Sequence, residues 1–368
     1  MHPTSFSQMI GNETIKRQLA SMVSKRAIGH ALLFAGPDGI GKSLFAWALA
    51  ASVLAEYDPG KDHARKIQTG QHPDIHVYRP EGKLGLHSIQ SMRQLSEEVS
   101  LPPFESSWKV FIIHEADRML SYSANALLKT FEEPPPRTII ILLSRSQAVL
   151  MPTILSRCST LHFQALSEEL IEAALKERGL LDHAKRAQIA RHAQGSLGRA
   201  LRLVEQGDAF RSTVLDLLAQ GRLGNYRLLR ESIQSLSEKV EAAKKQAEDA
   251  AKEEFGKTQA DQLSALQRNA IEKELEGIAA MALAQESQAI FDLILSWYRD
   301  LQVLLLGGQS TQLANPDYLA ALEQAVQRGE YQPLNQVCEA VEEAYLTLQR
   351  STPIALCLET LLLKLDRV

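Results

Sequence analysis

Cysteine is scarce in this chain: Cys158, Cys338 and Cys357 are the only three among 368 residues. An odd, scattered set excludes a disulfide scaffold and fits a reducing compartment. Neither charge sign dominates, with 40 Lys and Arg against 44 Asp and Glu and a formal net charge of −4. That balance excludes the overall basic field that drives autonomous DNA binding, so any nucleic-acid contact has to come from a local patch or from partner chains. Long apolar runs are also missing. The most apolar stretches, residues 139–143, 303–306 and 361–363, fall well short of the roughly 20 residues that cross a bilayer. Met1-His2-Pro3-Thr4-Ser5-Phe6 has no basic leader followed by an apolar segment, so no signal peptide is expected. These absences predict a soluble, cytoplasmic protein. What remains is an ordinary globular composition, 45% hydrophobic and 23% charged, in a chain long enough for about two or three domains.

Residues 1–165 alternate compact apolar runs with helical patterns. Residues 31–35, 110–113 and 139–143 are strand-length, and residues 44–54 read as a helix. Such alternation predicts a parallel sheet with covering helices, an α/β class. Strand signals stop after Phe163, and Ser167-Glu168-Glu169 is a helix start. A small helical domain is expected at 166–206 and a larger all-helical one at 207–368, with a charged arm around 236–275. In that arm Glu241 with Lys245 and Glu248 with Lys252 form i,i+4 pairs, while Val240, Ala243, Ala247 and Ala250 make only a thin apolar seam. The arm reads as a long exposed helix or one side of a helical hairpin. Ile290, Leu293, Ile294, Trp297, Leu301 and Leu304 follow the helical period and must face a core or a partner.

The strongest motif is Gly36-Pro37-Asp38-Gly39-Ile40-Gly41-Lys42-Ser43, a complete G-x-x-x-x-G-K-[ST] between an apolar strand and a helix. Gly36, Gly39 and Gly41 let the backbone wrap phosphates, exposed N–H groups and the helix start attract negative charge, Lys42 reaches the outer phosphates, and the Ser43 hydroxyl is a Mg²⁺ ligand. A second acidic element is expected at a neighbouring strand end. Val110-Phe111-Ile112-Ile113 leads instead to His114-Glu115-Ala116-Asp117. Imidazole is a poor ligand for hard Mg²⁺, whereas Glu115 is kept as a vestigial base. The loop therefore reads as able to hold nucleotide and badly equipped to hydrolyse it.

Further motifs carry a family resemblance. Asn125-Ala126-Leu127-Leu128-Lys129-Thr130-Phe131-Glu132-Glu133-Pro134-Pro135 resembles the central-helix signature of bacterial clamp-loader subunits, and Ser156-Arg157-Cys158 resembles their S-R-C motif. Phe6-Ser7-Gln8-Met9-Ile10-Gly11-Asn12 and His30-Ala31-Leu32-Leu33-Phe34 are similar to the same family's start. The resemblance runs over residues 6–205 and weakens beyond. Together these motifs resemble the AAA+ subunits of the DNA polymerase III clamp loader, which implies a P-loop parallel-sheet domain, a helical lid and a helical collar within a five-membered ring.

His114 favours the delta-prime branch of that family over the ATP-hydrolysing gamma/tau motor, as does Gly195-Ser196-Leu197-Gly198-Arg199-Ala200-Leu201. Motor subunits carry the lid arginine one position earlier, where this chain has Gly198. One residue rotates a helical side chain by roughly 100°, so Arg199 is a displaced candidate for phosphate contact. The family's polar sensor after the fourth strand falls on Ser144 or Arg145. Its four-cysteine zinc module has no counterpart in residues 52–73, which contain His63 and His72 and no cysteine, so no zinc site is expected.

The resemblance further implies that Arg157 reaches a neighbouring subunit's nucleotide as an arginine finger in trans, with Lys129 in support. ATP would occupy the chain's own loop with Mg²⁺ weakly held. The implied partners are gamma/tau and delta subunits, with the sliding clamp and primer-template DNA reached through the complex. Lys185, Arg186, Arg191, Arg199 and Arg202 concentrate positive charge in the lid, which touches a DNA backbone or a partner's acidic surface, or else is a solvated face. The alternatives are a gamma-like motor that hydrolyses ATP itself and an AAA+ ATPase outside replication.

Overall fold

The computed structural model describes residues 1–180, 182–207, 210–221, 226–256, 265–329 and 332–366. Five strands, β1 (Ala31–Ala35), β2 (Ile75–Tyr78), β3 (Lys109–Ile113), β4 (Thr138–Ser144) and β5 (Ser159–His162), form one sheet in the order β2-β3-β4-β1-β5. Every pairing is parallel. The central strands β1, β3 and β4 are buried along their whole length, as expected of a sheet covered on both faces.

The helices are α1 (Glu13–Ser24), α2 (Lys42–Tyr57), α3 (Ala64–Gln68), α4 (Ile89–Ser100), α5 (Ser121–Asn125), α6 (Leu128–Glu132), α7 (Pro152–Leu155), α8 (Glu168–Glu177), α9 (His183–His192), α10 (Leu197–Gln206), α11 (Arg211–Ala219), α12 (Tyr226–Gly256), α13 (Ala265–Leu305), α14 (Leu319–Arg328), α15 (Leu334–Gln349) and α16 (Ile354–Leu365). Alternate strand residues feed two cores, one on each face. Leu32, Phe34, Ile112 and Ile141 pack with α2 residues such as Phe45 and Leu49. Leu33, Phe111 and Ile140 pack with Met92, Leu95 and Phe131.

The chain divides into two compact units, residues 1–80 with 86–205, and residues 81–85 with 206–368. The first holds the sheet together with α8–α10, whose small core contains Ile171, Leu175, Ile189 and Ala200. The second is helical and has its own large core. There α12 packs along α13, and the Gly82 N–H bonds the Lys273 carbonyl at 2.8 Å.

Three expectations need correction. The signature at 125–135 is not one helix: α5 and α6 are separate, because tight i→i+3 bonds from Ala126 to Ser123 and from Leu127 to Ala124 replace the α-helical pattern between them. Arg186 does not lie on a solvated face; it is buried and donates to the Leu180 carbonyl at 2.8 Å. Finally, Ile271–Leu305 within α13 is long and apolar enough, by length and composition, to cross a membrane. Counting uninterrupted runs misses it because alanines and scattered polar residues break the pattern without making it hydrophilic. In the structure Ile290, Phe291, Ile294, Trp297 and Leu301 of this helix line the core of the helical unit.

Candidate phosphate site and surface arginine

In a parallel sheet every strand ends on the same edge, and ligands gather there where the strand order reverses. Strand β1 lies between β4 and β5. The loop after β1 therefore meets the segments that follow β3 and β4. The Gly36 N–H bonds the Ser144 carbonyl at 3.2 Å, which locks the start of the phosphate loop to the end of β4. Gly41 caps α2, and Lys42 and Ser43 open it.

Lys42 is buried and its Nζ donates to the carbonyls of Gly36 (2.6 Å) and Pro37 (2.7 Å). Burial pulls its ammonium below the ordinary lysine range, opposed by the carboxylates of Asp38, Glu115 and Asp117. Asp38 turns back on the loop, with Oδ1 3.7 Å from Lys42 Nζ and Oδ2 3.4 Å from Arg145 Nε. The same Arg145 Nε lies 3.7 Å from Asp117 Oδ2. The Ser144 hydroxyl donates to Asp117 Oδ1 at 3.1 Å and lies 2.8 Å from the Ser146 carbonyl. Of the two residues at this strand end, Ser144 braces Asp117 and Arg145 faces the loop. The signal for Asp38 was present in the sequence, since an acidic residue inside a phosphate loop needs a cation beside it. Its contact with Lys42 is local, four residues along the chain, whereas that with Arg145 is long-range.

His114 follows β3, where burial and then nearby positive charge push its imidazole down to about 3, so it is neutral at physiological pH. Glu115 sits in the left-handed region with φ 47°. Burial, then the charges of Asp38 and Asp117, raises its carboxyl to about 7, within the range of a general base. At Gly39 the chain has φ +70°, and a Cβ there would lie 2.3 Å from the Ser196 hydroxyl. The Gly198 N–H bonds the Gly39 carbonyl at 2.8 Å, and a Cβ on Gly198 would stand 3.1 Å from Gly39 Cα. Helix α10 thus begins against the phosphate loop, in a gap that only glycine fills without displacement. Arg199 next to it donates from NH1 to Gln194 Oε1 at 3.3 Å.

Arg157 follows α7 on the surface of the same unit. Its NH2 meets Glu132 Oε1 at 2.6 Å, and its NH1 donates to the Thr153 carbonyl at 2.8 Å and the Ser156 hydroxyl at 3.1 Å. Three oxygens hold a guanidinium whose side chain is still 32% exposed. Cys158 beside it is partly buried, and burial pushes its thiol up to about 12, which makes it a packing residue.

Two family models match this chain. One, described as DNA polymerase III, delta subunit, matches residues 11–167, and another, for the C terminal of that subunit, matches residues 254–367. The chain belongs to the DNA polymerase III delta-subunit family. It is 37% identical to DNA polymerase III subunit delta′ of Bacillus subtilis over 177 residues, covering 47% of this chain and 53% of that protein. It is 33% identical to subunit tau of Escherichia coli over 218 residues, covering 56% of this chain and 33% of that protein. The chain thus spans about half or less of the length of these relatives. A Thermotoga maritima RuvB Holliday junction branch migration motor aligns over 87% of this chain and 91% of its own, with 18% identity and a TM-score of 0.42.

The zinc module known from this family can be tested against the residues present. Among the described residues His63, His72 and Glu105 bring three ligand atoms together. His63 Nδ1 lies 2.8 Å from His72 Nε2, and Glu105 Oε1 lies 3.8 and 3.5 Å from them. A point equidistant from all three is about 2.0 Å from each, a zinc–nitrogen bond length. The hydrogen bonding defeats that fit. The Asp74 N–H donates to His72 Nδ1 at 3.1 Å, so the neutral ring carries its proton on Nε2 and donates it to His63. A metal on Nε2 would require Nδ1–H to face another N–H. This pair suits a shared proton, not zinc.

Magnesium fares little better at the loop. It needs hard oxygen donors, and the strand-end position holds neutral His114. Both carboxylate oxygens of Asp38 and of Asp117 already face a cation or a hydroxyl. Ser43 and the half-protonated Glu115 are what is left.

Proposed function

We propose that this chain is a delta-prime-type subunit of a bacterial clamp loader, a scaffold that binds nucleotide weakly in its own loop and lends Arg157 to the ATP of a neighbouring gamma/tau-type subunit. The observation that carries the reading is Arg157 itself, a braced and partly exposed guanidinium on an S-R-C turn. A guanidinium supplied across an interface offsets charge that develops on the transferred phosphoryl group. The loop beside His114 supports the second half of the reading, since phosphate-binding groups are intact where a metal-binding carboxylate is not. The partners are gamma/tau and delta subunits, and through them the sliding clamp and primer-template DNA. The site of work is the cytoplasm, where bacterial replication proceeds.

The test is reconstitution. Arg157→Ala should assemble normally into the mixed complex and lower its ATP turnover by at least one site's share. Unchanged turnover in an assembled ring overturns the finger. A second reading, hydrolysis by this chain itself, draws on Glu115, whose carboxyl lies near 7 beside the loop. It requires the isolated chain to turn over ATP and Lys42→Ala to abolish that turnover.

A further inference from the structure

Two cations and one carboxylate meet above the phosphate loop, and their arrangement bears on how a phosphate would be held. Asp38 offers one oxygen to Lys42 at 3.7 Å and the other to Arg145 at 3.4 Å. A carboxylate shared between an ammonium and a guanidinium has the charge and the oxygen spacing of a phosphate edge. Asp38 sits on the loop with nearly half of its side chain exposed, so it is free to swing away. Arg145 is not. Only 26% of its side chain is exposed, and the same Nε that faces Asp38 lies 3.7 Å from Asp117 Oδ2, while Asp117 Oδ1 takes the Ser144 hydroxyl at the end of a fully buried strand.

We propose that Arg145 and Lys42 form a two-cation clamp that grips a nucleoside polyphosphate without magnesium, and that Asp38 occupies the clamp as an internal substitute until the ligand arrives. The proposal rests on the reading of residues 36–43 as a phosphate loop and adds to it which group supplies the second positive charge. A divalent ion at such loops neutralises the outer phosphates, and here its ligand position is a neutral imidazole. A guanidinium provides fixed charge and a planar set of donors matched to phosphate oxygens, and it needs no ligands of its own. Its cost is competition, because the ligand must displace Asp38 from both cations.

The experiment is a calorimetric titration of the full-length chain with ATP and ADP, in excess Mg²⁺ and again in EDTA. The two dissociation constants should agree within about threefold, as a metal-free clamp requires. Arg145→Ala should weaken binding about tenfold or more, with Arg145→Lys between it and the parent, because one charge-assisted contact is lost. Asp38→Asn should tighten binding several-fold in both buffers, a gain that misfolding cannot produce. Tenfold weakening by EDTA, or wild-type affinity in Arg145→Ala, overturns the clamp while leaving the phosphate-loop reading intact. No binding in either buffer, for the parent and for Asp38→Asn, overturns both.

Discussion

Glu115 and Asp74 are carboxylates of the same unit displaced in opposite directions, and each leaves a distinct mark on stability against pH. Glu115 is raised to about 7 by burial and by the charges of Asp38 and Asp117. The unfolded chain ionises it near 4.3, so its neutral form is favoured by folding. That contribution is complete below about pH 4 and is lost as pH rises through 7. Glu115→Gln keeps the neutral shape, and should match the parent at pH 4.5 but exceed it by up to about 3 kcal/mol at pH 8.5 in urea unfolding. A gap independent of pH would contradict the assignment. Asp74 behaves in reverse. Burial pushes it up, yet backbone N–H groups of Phe104, Ser106 and Glu105 together bring it below the usual aspartate range. Those bonds, 2.5 to 2.9 Å long, pin the loop that displays the exposed Phe104. Its contribution is present above about pH 4 and falls away as pH drops through the folded pKa. Asp74→Ala orphans three donors, and should cost about 2–4 kcal/mol at pH 7 and much less in acid.

At the scale of elements, the contact between α10 and the phosphate loop shows why glycine stands at both Gly39 and Gly198. Gly39→Ala meets two costs, a left-handed backbone worth about 1–2 kcal/mol and a collision with the Ser196 hydroxyl. Adding Ser196→Gly should relieve the collision and leave the backbone cost. A double-mutant cycle in urea should therefore give a coupling of about 1 kcal/mol, and strict additivity would refute the contact. The strands that were readable in sequence are those with both faces covered. β1 is apolar throughout, and β3 and β4 are apolar between their polar end residues Lys109, Thr138 and Ser144, because neither side meets water. The edge strands escaped notice: Ile75–Tyr78 buries only Ile75 fully, and Ser159–His162 only Leu161. The phosphate loop was readable because its chemistry lies in eight consecutive residues. The pairing of Asp38 with Arg145 was not, because it depends on β1 and β4 lying side by side. The two-histidine cluster was visible as His63 and His72, but its third member, Glu105, comes from a distant loop.

At the scale of the whole molecule, the two units have separate cores and should report damage separately. In the helical unit Asp300 is fully buried and accepts from the Ala314 N–H (2.9 Å), the Asn315 N–H (2.8 Å) and Asn315 Nδ2 (2.9 Å). Asn315 Oδ1 in turn takes Arg211 NH2 at 3.0 Å, and Arg211 grips Asp317 with both terminal nitrogens at 2.7 Å. This network ties α11 and the segment before α14 to α13 through polar contacts that no apolar side chain replaces. Asp300→Ala removes the acceptor of three N–H groups, of which Asn315 Nδ2 keeps the Ser296 hydroxyl at 3.1 Å, and should cost the helical unit about 2–4 kcal/mol. Differential scanning calorimetry should then show one transition shifted down and another, belonging to residues 1–80 with 86–205, unmoved. Polyphosphate binding at the loop should survive at temperatures where the helical unit has melted, which a titration just above the shifted transition would show. Loss of binding together with the helical transition would mean instead that the sheet unit draws its stability from the helical one.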